Sequence, residues 1–339
     1  MSIHDRTYPL GLVLWIVINN KEFDYSFHQL REGAEVDEIN LKEALLPFEV
    51  DLRVWQNYKR QDILNSLRAI KEEVDNVPDK FSGLVILGMS HGEERDGRDY
   101  LVTSDCKPLL IETIVALYHN EFCIGLKDRP KCFLFNMCRG AYPNVQIQKD
   151  GTTCLSLADH DTNCSESNSS NQIECCHFSL PEESFLSFDD ETMNDHSQIV
   201  GTDLNQSQPM KENKEDVDQD QRTISFKKGD YMIVHSTLKG YVSNRHKQYG
   251  TIFIQELTKS INELMRCENH NFEEVIRRTC FAASSHRFSG VNASQLPEFT
   301  TTLRAPFRFI LKGICKIHLQ MKGISDLKQI CPIFHNIYF

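Results

Sequence analysis

Two short segments of this 339-residue chain carry side chains suited to nucleophilic chemistry. In FNMCRGAY, Phe135 to Tyr142, a single cysteine, Cys138, follows an apolar run and precedes Arg139 and Gly140. In GMSHGE, Gly88 to Glu93, His91 and Gly92 follow another such run. Alone, a cysteine in this setting is more often a packed core residue than a nucleophile, and a lone histidine is more often structural. Together they match the needs of acyl transfer: a thiolate to attack, an imidazole to manage protons, and backbone N–H groups for the oxyanion, with glycine permitting close approach. Such chemistry requires no cofactor and no metal.

The elements that must position these residues read as an α/β pattern, with short apolar runs alternating with helical periodicity. LGLVLWIVI, Leu10 to Ile18, reads as a buried strand; it is too short to span a bilayer and lacks the flanks of a signal peptide. A helix is expected over Val36 to Phe48, a strand over Val50 to Val54 and a helix over Asp62 to Val74. The strand Leu84 to Leu87 runs into His91, a helix covers Leu110 to Tyr118, and the strand Cys132 to Phe135 runs into Cys138. Past a long polar insert come a strand at Tyr231 to Ser236, helices at Thr251 to Met265 and Phe272 to Ala283, and a last strand at Phe299 to Leu303. Open α/β sheets place their sites at the carboxyl ends of strands, so His91 and Cys138, 47 positions apart, are expected to converge there.

Charge is concentrated in the insert. The net charge is -11, yet Asp150 to Arg222 holds 17 acidic against 3 basic residues, leaving the rest of the chain nearly neutral. Rich in Ser, Asn and acids with few apolar clusters, the insert reads as a disordered linker. No basic patch with interleaved aromatics points to nucleic acid, and no cationic amphipathic helix points to a membrane. The twelve cysteines show no framework spacing, which favours a reduced, cytoplasmic chain. Cys154, Cys164, Cys175, Cys176 and His177 do not form a zinc-ligand pattern.

The joined motifs, SHG at Ser90 to Gly92 and CRG at Cys138 to Gly140, resemble the caspase family, in which a histidine lies about 50 residues ahead of the cysteine. The resemblance runs over about Tyr8 to Tyr142 and Ser225 to Phe309, including LREGAEVD at Leu30 to Asp37 and GYVSNRHKQYGTIFIQEL at Gly240 to Leu257. It implies a caspase-like three-layer α/β sandwich with a mostly parallel central sheet. Residues 1–148 would form a large-subunit segment, 149–222 the intersubunit linker, 223–311 a small-subunit segment and 312–339 an atypical tail. It further implies a short-prodomain, executioner-like or divergent invertebrate-type member, cutting peptide bonds after aspartate in apoptosis or related signalling.

On this resemblance Cys138 is the nucleophile, His91 the general acid and base, and the N–H groups of Gly92 and Cys138 the oxyanion donors. Arg31, Arg245 and Asn136 would bind the substrate aspartate, since guanidinium forks hold a carboxylate bidentately while staying charged. Val242, Ser243 and Asn244 would line the rest of the cleft. Partners are peptide substrates, a second copy through Phe299 to Leu303, and other caspases or inhibitor proteins. In the linker, Glu215-Asp216-Val217-Asp218 resembles a recognition site, making Asp218 and Asp220 candidate self-cleavage points, with Asp189, Asp190 and Asp203 in reserve. Asn136 stands where the family usually has Gln, and Asn244 where it usually has Trp. These departures keep a second reading open, a weak or inactive relative that regulates an active caspase.

Overall fold

The computed structural model describes residues 7–25, 28–142, 173–174, 227–264, 271–286 and 295–313. Its centre is a six-stranded sheet in which five neighbouring strands run parallel. Strand β1 (Val13–Asn19) pairs with β2 (Val50–Gln56) on one side and β3 (Gly83–Met89) on the other, both in parallel. A hairpin-built sheet follows β3: β4 (Gly92–Arg95), β5 (Arg98–Val102) and β6 (Pro108–Leu110). The large sheet continues with β7 (Lys131–Asn136), parallel to β3. The short strand β8 (Ile173–Glu174) belongs elsewhere, and β9 (Tyr231–His235) pairs in parallel with β7. A second small sheet is formed by β8, β10 (Arg245–His246) and β11 (Gly250–Thr251). The last strand, β12 (Glu298–Thr301), closes the large sheet antiparallel to β9.

Burial on both faces explains the parallel centre, because crossover helices cover each side. Every residue of β1, β3 and β7 is buried. Along β1 the pleat divides the side chains: Val13, Trp15 and Val17 enter one core, Leu14, Ile16 and Ile18 the other. The first core is covered by α1 (Ala34–Leu45), α4 (Ile252–Leu264) and α5 (Phe272–Ser285), with Trp15 edge-on to Phe272 at 5.6 Å between ring centroids. The second lies under α2 (Arg60–Asn76) and α3 (Ile111–Ala116), where Ile63, Leu64, Leu67, Ile70 and Val74 form the buried stripe of α2. The result is the three-layer α/β architecture expected from the sequence.

Three details depart from the sequence reading. The β4–β5 hairpin was not anticipated from the polar run GEERDGRD, although its two-residue turn at Asp96-Gly97 has positive φ at both positions. The last strand is Glu298–Thr301 rather than Phe299 to Leu303, since the chain turns where Leu303 N–H donates to Thr301 Oγ1 at 3.1 Å. Within the segment read as a linker, Ile173 and Glu174 pair antiparallel with His246 and Arg245. Asp189, Asp190, Asp203, Asp218, Asp220, the Cys154 to His177 group and residues 314–339 lie outside the described residues. Among the described residues, no helix is long and apolar enough to cross a membrane, and no group of three His, Cys, Asp or Glu is placed to hold a metal.

Candidate active site

The register of the parallel pair β3 and β7 sets the site. Met89 lies opposite Asn136, so His91 and Cys138 each stand two residues beyond the same step of adjacent strands. This is the carboxyl end of the sheet, flanking β1, from which other crossovers leave on both sides. Gly92 packs against the cysteine's own backbone: a Cβ there would meet the Cys138 carbonyl oxygen at 2.3 Å. Any side chain at this position would force the two strand ends apart. Val102 N–H donates to the His91 carbonyl at 3.0 Å, which makes Gly92 and Leu101 a pair without mutual hydrogen bonds. The Gly92 N–H therefore points away from β5.

His91 is buried, and its Nε2 lies 2.7 Å from the Gln29 carbonyl oxygen. A carbonyl only accepts, so this contact places the proton of the neutral ring on Nε2 and leaves the Nδ1 lone pair to take a proton. Phe23 and His28, neither singled out in the sequence, pack on the ring at 4.9 and 5.4 Å between centroids. The Cys138 sulfur accepts from Ser243 N–H at 3.3 Å and is almost fully buried. The chain after it is held by the segment leading to Val242: Arg139 N–H donates to Tyr241 O at 2.9 Å, Gly240 N–H to Arg139 O at 2.7 Å, and Val242 N–H to Tyr142 O at 3.0 Å.

The residues expected to bind an aspartate are all buried, and Arg31 and Arg245 both lie close enough to Asp37 to act on its charge. Arg31 is 1% exposed and donates through Nη1 to the Asn20 carbonyl at 2.9 Å and to Asn19 Oδ1 at 3.3 Å, at the end of β1. Arg245, on β10, is 4% exposed and lies opposite Thr251 of β11. The Asn136 amide donates to Thr251 Oγ1 at 2.8 Å and accepts from Ser243 Oγ at 3.2 Å. Ser243 Oγ in turn accepts from Ser236 Oγ at 2.9 Å and from Gln295 Nε2 at 3.3 Å, while Gln295 Oε1 accepts from Asn244 N–H at 2.7 Å. The short amide of Asn136 is thus gripped on both ends by neighbours that fit its length. Val242 and Asn244 are buried beside it.

Several participants had no signal in the sequence. Asp37 accepts from Thr251 N–H at 2.8 Å and from Thr251 Oγ1 at 3.0 Å. Burial pushes its carboxyl up to about 7, against the pull of the hydrogen bonds and of Arg31 and Arg245. Arg139 bonds Asp99 through Nε at 2.9 Å, pairs with Glu298 on the edge strand β12, and donates to Thr237 O at 3.2 Å. Burial and this guanidinium push His235 down to about 4, so it is neutral at ordinary pH. The residue next to Cys138 therefore ties the site to the sheet's edge.

The edge of β10 accepts an extended backbone in antiparallel register, here Ile173–Glu174 of the chain itself. Main-chain bonds along this edge are of the kind that strand addition uses to hold an extended peptide.

Comparison with known proteins agrees with this arrangement. The family model described as Caspase domain matches residues 13–308. Caspase-3 of Xenopus laevis is 26% identical over 273 residues, covering 78% of this chain and 71% of that protein. Caspase-3 of Mus musculus is 28% identical over 158 residues, 46% of this chain and 54% of that protein. Because the match extends from β1 past β12, over most of the chain, the chain belongs to the caspase family of cysteine proteases.

Proposed function

We propose that this chain is an endopeptidase that cleaves peptide bonds after aspartate, acting in the cytoplasm in apoptosis or a related proteolytic signal. The observation that carries this reading is the convergence of Cys138, His91 and two almost fully buried arginines, Arg31 and Arg245, at one end of the sheet. Two buried guanidiniums offer planar, permanently charged forks that hold a carboxylate bidentately, and an aspartate side chain is short enough to reach both from a peptide main chain paired along β10.

In the reaction, His91 Nδ1 takes the thiol proton and the Cys138 sulfur attacks the carbonyl carbon. The oxyanion forms against the N–H groups of Gly92 and Cys138. The C–N bond breaks as His91 returns the proton to the leaving amine, leaving a thioester. Water, deprotonated by His91, then attacks the same carbon; the C–S bond breaks and the thiol is restored. Hydrolysis of reporter peptides ending in aspartate, and not of those ending in asparagine or glutamate, tests the reading.

Two further parts of this reading have their own tests. The outer edge of β12 pairs with a twofold mate, giving a homodimer. Phe299 and Leu303 pack on the chain's own core, so charges placed there would damage the fold rather than the interface. Thr302 N–H donates inward to Tyr231 O at 2.8 Å, and alternate residues of a strand point opposite ways. The Thr301 N–H therefore faces outward, and Thr301→Pro is expected to yield monomers by sedimentation at unchanged melting temperature. Dimers surviving that change would assign the interface to another surface.

The linker is a substrate of the enzyme itself, cut after Asp218 or Asp220. Active protein is expected as two fragments, the smaller starting at Gln219 or Gln221, and Cys138→Ala protein is expected intact. Terminal sequencing that places the start outside Glu191 to Arg222 would remove self-cleavage in this linker.

A further inference from the structure

Asp37 is fully buried, yet nothing in the chemistry above uses it. It sits in the first turn of α1, six residues after Arg31, and faces the β10–β11 turn. Its fit is tight: a Cβ on Gly250, which has φ +81°, would meet Asp37 Oδ1 at 2.2 Å. One oxygen takes the Thr251 N–H and the other the Thr251 hydroxyl proton, so the hydroxyl must accept with its lone pairs. What it accepts is the Asn136 amide. While Asp37 is ionised, the order Asn136 N–H to Thr251 O–H to Asp37 carboxylate is therefore fixed in direction by the acceptor at its end.

The charged and titratable groups around Asp37 are few. Arg31 precedes α1, and Arg245 and His246 come from β10. Glu38, next to it on α1, is engaged by Lys42, Gln56 and Asn19, and Glu256 of α4 by Lys259 and His286. Arg31 and Arg245 both hold the Asp37 carboxyl down.

We propose that Asp37 is the positioning residue of the aspartate site: through Thr251 it orients Asn136, and it supplies the negative charge that keeps Arg31 and Arg245 together until a substrate carboxylate displaces that role, so that binding takes up a proton. This rests on the reading of Arg31 and Arg245 as aspartate-binding. The sign follows from charge. With substrate bound, two carboxylates share two guanidiniums, and like-charge repulsion favours protonation of the one that is buried and not exchangeable. A carboxyl already raised to about 7 needs only a small push to bind its proton at neutral pH. The proton comes from solvent and goes to an Asp37 oxygen; no bond other than O–H forms.

The test is calorimetric titration of Cys138→Ala protein at pH 7 with a peptide containing one aspartate, in phosphate and in Tris, whose different ionisation heats report protons taken up. The Cys138→Ala protein is expected to take up about half a proton on binding. Adding Asp37→Asn is expected to abolish that uptake, and adding Thr251→Val, which keeps the carboxylate but removes the relay, to weaken binding about tenfold with uptake retained. Equal uptake with Asp37→Asn, no uptake in the Cys138→Ala protein, or unchanged affinity with Thr251→Val would overturn the proposal. If Asp37→Asn does not fold, the other two results decide. A peptide that fails to bind at all would overturn the aspartate-site reading itself, an outcome distinct from binding without proton uptake.

Discussion

Cys138→Ala is expected to reduce hydrolysis of aspartate-terminated peptides by about 10⁴-fold or more, to the level of the buffer blank. The methyl group cannot attack, and no second nucleophile stands at the position fixed by the β3–β7 register. Folding is expected to be unaffected, because the sulfur's contacts with Ser243, from its N–H at 3.3 Å and to its carbonyl oxygen at 3.9 Å, are weak. His91→Ala is expected to fall nearly as far, since residues that act as a unit lose their effect together. Steady-state kinetics with melting curves on each variant checks this. Turnover equal to wild type by the Cys138→Ala protein would place the nucleophile elsewhere. No turnover by the wild-type protein, joined to altered activity of an added caspase, would replace the protease reading with that of a regulator.

Arg245→Ala and Arg31→Ala are each expected to lower kcat/KM toward aspartate peptides by about a hundredfold or more, ~3 kcal/mol of transition-state binding. The loss is large because both side chains are buried, at 4% and 1% exposure, so a bound carboxylate deprived of one fork finds no water to replace it. The deletion also acts on Asp37. Each guanidinium holds that carboxyl down, so removing one raises it above about 7, and with Asp37 then protonated a single guanidinium is left to face the substrate carboxylate. Arg245→Lys keeps the charge but not the planar fork and is expected to lie between wild type and Arg245→Ala. Full activity of Arg245→Ala toward aspartate, measured as kcat/KM, would show that the carboxylate is bound elsewhere.

The strands that place Cys138 and His91 were legible because central parallel strands are apolar on both faces: the runs around Ile16, Ile86 and Phe133 are unmistakable for that reason. The hairpin β4–β5 was not read because its strands are polar and partly exposed, although Asp96-Gly97 is a recognisable two-residue turn. The pairing of Arg31 with Arg245 was suggested by family resemblance alone. Asp37 was not: an acid in the first turn of a helix reads as solvated and favourable to the helix dipole, and only the tertiary fold shows it buried against β11. Thr251 and Gln295 meet Asn136 and Ser243 across 115 and 52 positions, a separation at which a single sequence carries no pairing signal. Asn136 illustrates the same limit. Its type marked a departure from the family pattern, and only the structure shows its amide bonded to Thr251 and Ser243.

The most direct test of the central claim is to incubate the processed protein with a peptide library of mixed sequence and to read every new carboxyl terminus by mass spectrometry, with the Cys138→Ala protein in parallel. The account predicts new termini ending in aspartate, and none from the variant; termini spread over other residue types, or the same set from both proteins, would contradict it.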